Sequence, residues 1–144
     1  MRFEEPPGDR IVVDGTWLWT YAPSSVPNQV IKQPVPTGGT STPNLVAQFV
    51  ERPLERYQAS NAGVDTIHGQ VVDLVHLDPK ADDTGFTEAV IAVGRRDGLL
   101  WRIALREETG QRRTLSFERI RTNVPIPDAE FSFVPARGTR VVIP

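Results

Sequence analysis

The stretch LLWRIALR at positions 99–106 decides the fold class, because every second residue in it is apolar and both of its charged residues fall between them. The odd-numbered positions hold Leu99, Trp101, Ile103 and Leu105. The two charged residues, Arg102 and Arg106, stand at even-numbered positions. Since a β-strand repeats every two residues, the pattern predicts a strand with one wet face and one dry face.

The same period of two recurs elsewhere in the chain. It is present in Thr16–Tyr21, Arg113–Arg121 and Glu130–Val134. Each segment places two or three apolar side chains at every second position: Trp17, Trp19 and Tyr21; Leu115 and Phe117; Phe131 and Phe133. The 13 prolines and 11 glycines recur at short intervals between these segments, which is typical of short strands joined by hairpins.

Two further segments have apolar residues at both odd-numbered and even-numbered positions. Val71–Leu77 and Phe86–Val93 are therefore predicted to lie centrally in the sheet, where both faces are covered. The segment between them, Asp78–Gly85, contains three aspartates without the spacing of a calcium loop. We interpret it as a solvated hairpin tip and not as a metal site.

One helix is clearly indicated, over residues 42–50. Thr42 is a suitable N-cap and Pro43 a suitable first helical residue. The following apolar side chains fall on one side of the helix: Leu45, Val46 and Phe49. Because so short a helix is unstable alone, it should pack across the sheet. Strands without crossover helices imply antiparallel pairing, so the predicted class is mainly β, within α+β.

Composition excludes several classes of function. A net charge of −2 gives no basic field for nucleic acid, and the chain has no cysteine for disulfides or thiolate chemistry. The only histidines, His68 and His76, have no spacing known for metal ligands, and no serine lies in a nucleophile motif. No apolar run approaches the roughly 20 residues that span a bilayer. We therefore expect one non-enzymatic domain over residues 1–144, without metal, cofactor or transmembrane segment.

The dry faces leave two interpretations open. They can form a closed core around the helix, as in an interaction domain without a ligand. Alternatively, they can form a groove that a ligand fills, because an open apolar face of this extent is otherwise poorly packed. An enclosed apolar cavity would distinguish the two.

Several motifs, in order along the whole chain, resemble the LolA family of lipoprotein carriers. They are DGTWLWTYAP at 14–23, Thr42-Pro43, LDPK at 77–80, RDGLLWRI at 96–103, NVPIPD at 123–128 and FSFVP at 131–135, with Gly138 and the closing Val141–Ile143. The resemblance implies an open antiparallel half-barrel whose apolar concave face is covered by a short lid helix. The acyl-chain groove would then be lined by Trp17, Trp19, Leu99, Trp101, Ile103, Leu115 and Phe117, and the lid would present Leu45, Val46 and Phe49.

The resemblance also implies a function. The chain would be a monomeric periplasmic carrier that binds acylated lipoproteins and moves them from the inner to the outer membrane. An inner-membrane lipoprotein-releasing transporter would load it, and an outer-membrane acceptor would unload it. The alternatives are a related half-barrel lipid sensor or outer-membrane acceptor, and a ligand-free interaction domain.

The resemblance begins partway through the family's pattern. Met1–Glu5 resembles a strand that, in the family, follows a signal peptide, a long helix, two or so strands and an Arg-Pro turn. We therefore expect Met1 to be an internal residue of a longer protein, whose signal peptide, N-terminal helix and first strands precede these 144 residues.

Overall fold

The structure is a computed structural model, and it describes residues 1–35, 45–82 and 84–144. The described residues group into two compact units. The first unit contains residues 1–35 and 123–144, and the second contains residues 45–82 and 84–122. The region predicted as one domain thus contains two units, each with its own sheet and its own apolar cluster.

The chain is mainly β, as the sequence predicts. Nine strands, two short α-helices and one 3-10 helix occur in the described residues. In chain order they are β1 Arg10–Val13, β2 Trp17–Tyr21, β3 Gln29–Pro34, α1 Leu45–Val50, α2 Pro53–Arg56, β4 Tyr57–Ile67, β5 Gln70–Pro79, β6 Phe86–Gly94, β7 Leu100–Glu107, β8 Arg112–Ser116, the 3-10 helix Asp128–Phe131, and β9 Arg140–Val142.

The second unit contains a five-stranded open sheet in the order β4-β5-β6-β7-β8, and every neighbouring pair is antiparallel. The central position predicted for the two segments apolar on both parities is confirmed, since they form β5 and β6. Val72 in β5 and Ala92 in β6 are 0% and 1% exposed. Both project to the face opposite the main apolar cluster, where Arg102 reaches across to Asp65 at 2.7 Å.

The first unit contains a four-stranded sheet in the order β1-β2-β3-β9. Its last pair, β3 with β9, is parallel, so the expectation of purely antiparallel pairing is wrong at this point. A parallel pair requires a long connection, and the chain makes more than a hundred intervening residues available between these strands.

Asp-Gly turns open two of the strands, and both turns are stabilised by the aspartate. Asp14 accepts hydrogen bonds from the backbone N–H groups of Thr16 and Trp17 at 3.0 and 2.8 Å. Asp97 accepts one from the N–H of Leu99 at 2.9 Å. Gly94 makes room for that carboxylate, since a Cβ there would lie 2.1 Å from Asp97 Oδ1. The short aspartate side chain therefore fixes where β2 and β7 begin.

Two local predictions differ from the structure, and one strand was not predicted. Met1–Glu5 is not a strand, and only an isolated bridge joins Arg2 to Arg10. Glu130–Val134 is not a strand either, because the chain forms the 3-10 helix there. Phe131 is consequently 50% exposed, whereas Phe133 is buried. The longest strand, β4, went unpredicted because its small and polar residues show no apolar alternation.

Candidate functional site

The candidate site is the face of the five-stranded sheet that α1 covers. Phe49 of α1 is 3% exposed and contacts two aromatic rings of the second unit. Its ring stacks on Tyr57 with centroids 5.7 Å apart, and it meets Phe86 tilted, also at 5.7 Å. Tyr57 and Phe86 in turn lie 6.0 Å apart. This aromatic trio packs α1 against the starts of β4 and β6.

Strand register explains why one face is apolar. Val75, Ile91, Ile103 and Leu115 are successive partners across β5, β6, β7 and β8, so their side chains share a face. We name the whole surface the apolar face. Its buried members are Phe49, Tyr57, Leu77, Phe86, Ala89, Ile91, Ile103 and Leu105, and the partly buried residues packed on them are Val46, Val75, Val93, Leu100, Leu115 and Phe117.

The structure brings five of the predicted site residues together in the apolar face: Val46, Phe49, Ile103, Leu115 and Phe117. The two arginines of β7 lie on the other face, where Arg102 pairs with Asp65 and Arg106 with Glu88. The helix begins at Leu45, whose side chain lies outside the described residues, as do Thr42 and Pro43.

Trp101 and Leu99 are not among the side chains that pack in the apolar face, as far as the chain is described. Trp101 is the extra residue of a β-bulge, because Ala92 pairs with Arg102 while Val93 pairs with Leu100. A bulge changes which residues of a strand point to a given face of the sheet. Leu100 therefore packs in the apolar face, where simple alternation would have placed Trp101. The indole of Trp101 lies 5.8 Å from the His68 ring and donates to Asp97 at 3.2 Å.

Trp17 and Trp19 belong to the first unit, in β2. Lys32, the register partner of Trp19 on β3, places its ammonium 4.1 Å from the Trp17 ring centroid and 4.9 Å from that of Trp19. The indole N–H of Trp19 donates to Asp14 at 2.9 Å. A second aromatic contact joins Trp19 to Phe133 at 5.5 Å. These contacts join the two tryptophan rings to Lys32 and Phe133 within the first unit.

Lys80, from the LDPK motif, attaches the helical segment to the sheet. Its backbone N–H donates to the carbonyl of Arg56 at 2.9 Å, and its ammonium donates to the carbonyl of Leu54 at 2.7 Å. Both acceptors lie in α2, where the last carbonyls of a helix lack partners within the helix. Lys80 therefore holds α2 at the end of β5. Arg52, between α1 and α2, has a left-handed backbone with φ 49°.

Sequence reasoning missed most of the aromatic trio. Tyr57 and Phe86 are the first residues of β4 and β6, and the alternation within a strand does not indicate which residue packs under a helix. Phe86 is the first residue of a predicted strand, but no signal in the sequence marks Tyr57, because β4 was not predicted. Leu77, Ala89 and Ile91 lie in strands that were predicted, but apolarity on both parities concealed their orientation.

Hydrogen bonding lowers the pKa of Asp97, first through the N–H of Leu99 and then through Gln70 and Trp101. A carboxyl whose pKa is lowered by folding stabilises the fold above its unfolded pKa of about 3.9, and this contribution is lost as the pH falls below it. We expect the second unit to lose stability as the pH falls below about 4. Asp97→Asn should flatten that loss, measured by urea unfolding at several pH values.

Asp82→Asn is the control for this experiment, because the Asp82 side chain is exposed and makes no hydrogen bond or ion pair in the described part of the chain. It should leave the pH dependence as it is in the wild type. An Asp97→Asn profile that superimposes on the wild-type profile would show that the turn does not couple to folding.

Within residues 1–35, 45–82 and 84–144, no three His, Asp or Glu side chains are grouped so that they could hold a metal ion. No helix in the same ranges has the length and apolarity needed to cross a membrane.

Comparison with known proteins supports the resemblance noted in the sequence. The chain is 39% identical over 71 residues to an outer-membrane lipoprotein carrier protein of Ralstonia nicotianae, covering 49% of this chain and 32% of the relative. It is 28% identical over 141 residues to the protein of the same name from Chromohalobacter salexigens, covering 96% of this chain and 62% of the relative. The chain thus spans less than two thirds of either relative.

A solved structure shares the fold. An uncharacterised conserved protein of Thermus thermophilus superimposes with a TM-score of 0.56 at 14% identity, covering 99% of this chain and 71% of that one. The model of the family described as outer membrane lipoprotein carrier protein LolA matches residues 1–134. Since the match covers nearly the whole sequence, the chain belongs to the LolA family.

Proposed function

We propose that this chain is a non-catalytic periplasmic carrier that binds the acyl chains of lipoproteins on the apolar face and moves them from the inner to the outer membrane. Membership of the LolA family supports the carrier role. The observation that carries the site assignment is the packing of Phe49 from α1 over the apolar face, on Tyr57 and Phe86. Acyl chains would replace these contacts when α1 lifts.

The packing of α1 bears on how a carrier can release its cargo. Each buried methylene contributes about 0.8 kcal/mol, so several acyl chains on a bare apolar surface would bind too tightly to leave. If the chain covers its own apolar surface when no acyl chain is bound, the net free energy gained by binding is smaller. Phe49, at 3% exposed, is the side chain that provides this cover. In this proposal, the packing of Phe49 on the apolar face represents the closed form of the carrier.

A helix as short as α1 is suited to such a movable cover. It has six residues, which is too short for stability without tertiary contacts. The neighbouring α2 is tied to the sheet by Lys80, so α1 can move while α2 stays in place. The left-handed Arg52 between them is the expected point of bending.

The partners belong to the same proposal. Loading by an inner-membrane lipoprotein-releasing transporter and unloading to an outer-membrane acceptor would let the carrier work as a monomer, without a cofactor or nucleotide. Further acyl-chain contacts in this proposal are Trp101, in β7, and Leu99, which precedes that strand. Trp17 and Trp19, in the first unit, stay predictions of the resemblance.

One observation favours a second candidate, a ligand-free interaction domain. The apolar face is filled by the chain's own side chains, and Ile103 and Tyr57 are 0% and 1% exposed. A closed core of this kind needs no ligand. A lipid-binding sensor or an outer-membrane acceptor with the same fold would differ from a carrier in its partners and not in the apolar face.

Uptake of an acylated peptide separates these functions. We expect the purified chain to retain a triacylated lipopeptide and not its unacylated counterpart, with the bound fraction measured by co-purification and mass spectrometry. Phe117→Ala should reduce the retained fraction several-fold, because Phe117 is a partly buried member of the apolar face and a side chain of this size contributes about 1.5–3 kcal/mol when an apolar ligand covers it. Phe117→Leu, which keeps a large apolar side chain, is the matched control. Equal retention of acylated and unacylated peptide would favour the interaction domain.

A further inference from the structure

A row of charged side chains crosses the sheet face opposite the apolar face. Glu88, Arg106 and Arg112 are successive partners across β6, β7 and β8, so their side chains project side by side. The Nε of Arg106 donates to Glu88 Oε1 at 2.6 Å. On the other side of Glu88, His76 Nε2 lies 3.4 Å from Oε2. At the β8 end of the row, Arg106 of β7 and Arg112 of β8 therefore lie directly opposite one another.

The negative charges lie toward one end of this row: Asp78 and Glu88 each approach His76 to 3.4 Å, whereas Arg112 stands at the other end. Hydrogen bonds from Arg106, and then from His76, lower the pKa of Glu88, so this carboxylate is ionised at neutral pH and compensates Arg106. The Arg112 side chain makes no hydrogen bond or ion pair in the part of the chain that the structure describes. Like charges directly opposite one another on neighbouring strands are unfavourable. The position beside Arg112 thus lacks one negative charge.

A pocket lies at that position. It has a volume of about 310 Å³, and its lining joins the two guanidinium groups to a hydroxyl and to small apolar side chains. The lining residues are Glu88, Val90, Ala104, Leu105, Arg106, Arg112 and Thr114. The planar guanidinium fork suits the oxygens of a phosphate group, which also accepts a hydrogen bond from a hydroxyl such as that of Thr114.

We propose that Arg112, with Arg106 and Thr114, binds an oxyanion of the phosphate class in this pocket. The anion is either free phosphate or the phosphate ester of a lipid headgroup, and Val90 and Ala104 on the pocket floor would accommodate carbon atoms next to the ester. The site is separate from the apolar face, since Arg106 and Arg112 lie on the opposite side of the sheet. It therefore does not depend on the proposed acyl-chain binding.

The neighbouring arginine provides a matched control. Arg113 pairs in register with Leu105, a member of the apolar face, so it projects to the other side of the sheet. Its guanidinium is already bonded to Glu107 at 2.6 Å. Arg112→Gln and Arg113→Gln thus remove the same charge from adjacent exposed positions, and only the first removes it from the pocket.

The test titrates inorganic phosphate into the isotope-labelled protein and follows the amide signals of Val90, Ala104 and Thr114 by NMR. We expect saturable shifts in the wild type, with roughly fivefold weaker binding in Arg112→Gln and unchanged binding in Arg113→Gln. Shifts that sodium chloride reproduces at the same ionic strength, or equal affinity in Arg112→Gln and wild type, would overturn the proposal.

Vesicle sedimentation then identifies the source of the anion. Vesicles of phosphatidylglycerol and of phosphatidylcholine are compared with wild type and both variants. Loss of binding to phosphatidylglycerol in Arg112→Gln alone supports a lipid headgroup as the source. Saturable phosphate shifts without vesicle binding support free phosphate instead. Vesicle binding that is unaffected by Arg112→Gln, together with an unsaturable phosphate titration, would remove the site altogether.

Discussion

Phe49→Asp is expected to detach α1 from the apolar face. Phe49 is 3% exposed and contacts Tyr57 and Phe86, so an aspartate there would place a carboxylate among aromatic rings. An unpaired buried charge costs several kcal/mol, more than a six-residue helix gains by docking. The helix should undock, and binding of the dye ANS to the ligand-free protein should rise several-fold as the apolar face becomes exposed.

The same variant tests the proposed carrier role. In the loaded carrier of this proposal, Phe49 moves from Tyr57 and Phe86 onto the bound acyl chains. An aspartate there should therefore lower retention of a triacylated lipopeptide at least about tenfold, corresponding to roughly 1.4 kcal/mol of lost contact beyond the self-cover that the variant also loses. Co-purification followed by mass spectrometry measures it.

Val50→Asp is the control for both measurements. Val50 is the next residue of α1 and is 57% exposed, so a carboxylate there remains in water. It should leave dye binding and peptide retention near the wild-type values. If Val50→Asp changed both as much as Phe49→Asp does, the effect would come from the charge and not from the contact of α1 with the sheet.

Ile103→Ala should produce a large loss of stability. Ile103 is 0% exposed and lies between Ile91 and Leu115 in the register of the sheet. Removing its outer carbons leaves a cavity in the centre of the cluster, and such truncations cost about 2–5 kcal/mol in unfolding free energy. Urea unfolding followed by circular dichroism provides the measurement.

Val64→Ala is the matched control for this truncation. Val64 lies in β4 of the same sheet and is 54% exposed, so its truncation leaves no cavity and should change the unfolding free energy by less than about 1 kcal/mol. A loss below about 1 kcal/mol for Ile103→Ala as well would mean that the centre of the apolar face is loosely packed. That result would favour an open groove over a closed core.

The strands with clear alternation could be predicted because the alternation of apolar and polar residues is visible within a single segment of the sequence. In β7, Ile103 and Leu105 alternate with Arg102 and Arg106, and the structure separates them onto opposite faces. Prediction failed where local pattern and strand pairing disagree. Alternation assigns Trp101 to the apolar face, but the bulge opposite Ala92 and Val93 gives that place to Leu100. A bulge depends on the partner strand, which the sequence of β7 does not contain.

The residues of the candidate site likewise fall into those that the sequence identified and those that it did not. The sequence identified Phe49 and Val46 as the apolar side of a helix and Ile103, Leu115 and Phe117 as the apolar side of strands. It did not identify Tyr57, because β4 has small, polar residues and is held as a strand by its pairing with β5. Such a strand forms only once a neighbour supplies its hydrogen bonds.

The sequence by itself therefore determined the mainly β class, the central position of β5 and β6, the apolar side of α1 and the family. Each of these depends on side-chain polarity and its period along a single segment, or on motifs in a fixed order. Only the tertiary structure decided that β3 pairs in parallel with β9, that Phe49 packs on Tyr57 and Phe86, and that Arg112 stands opposite Arg106. These features arise between residues far apart in the chain, where register and packing select the neighbours.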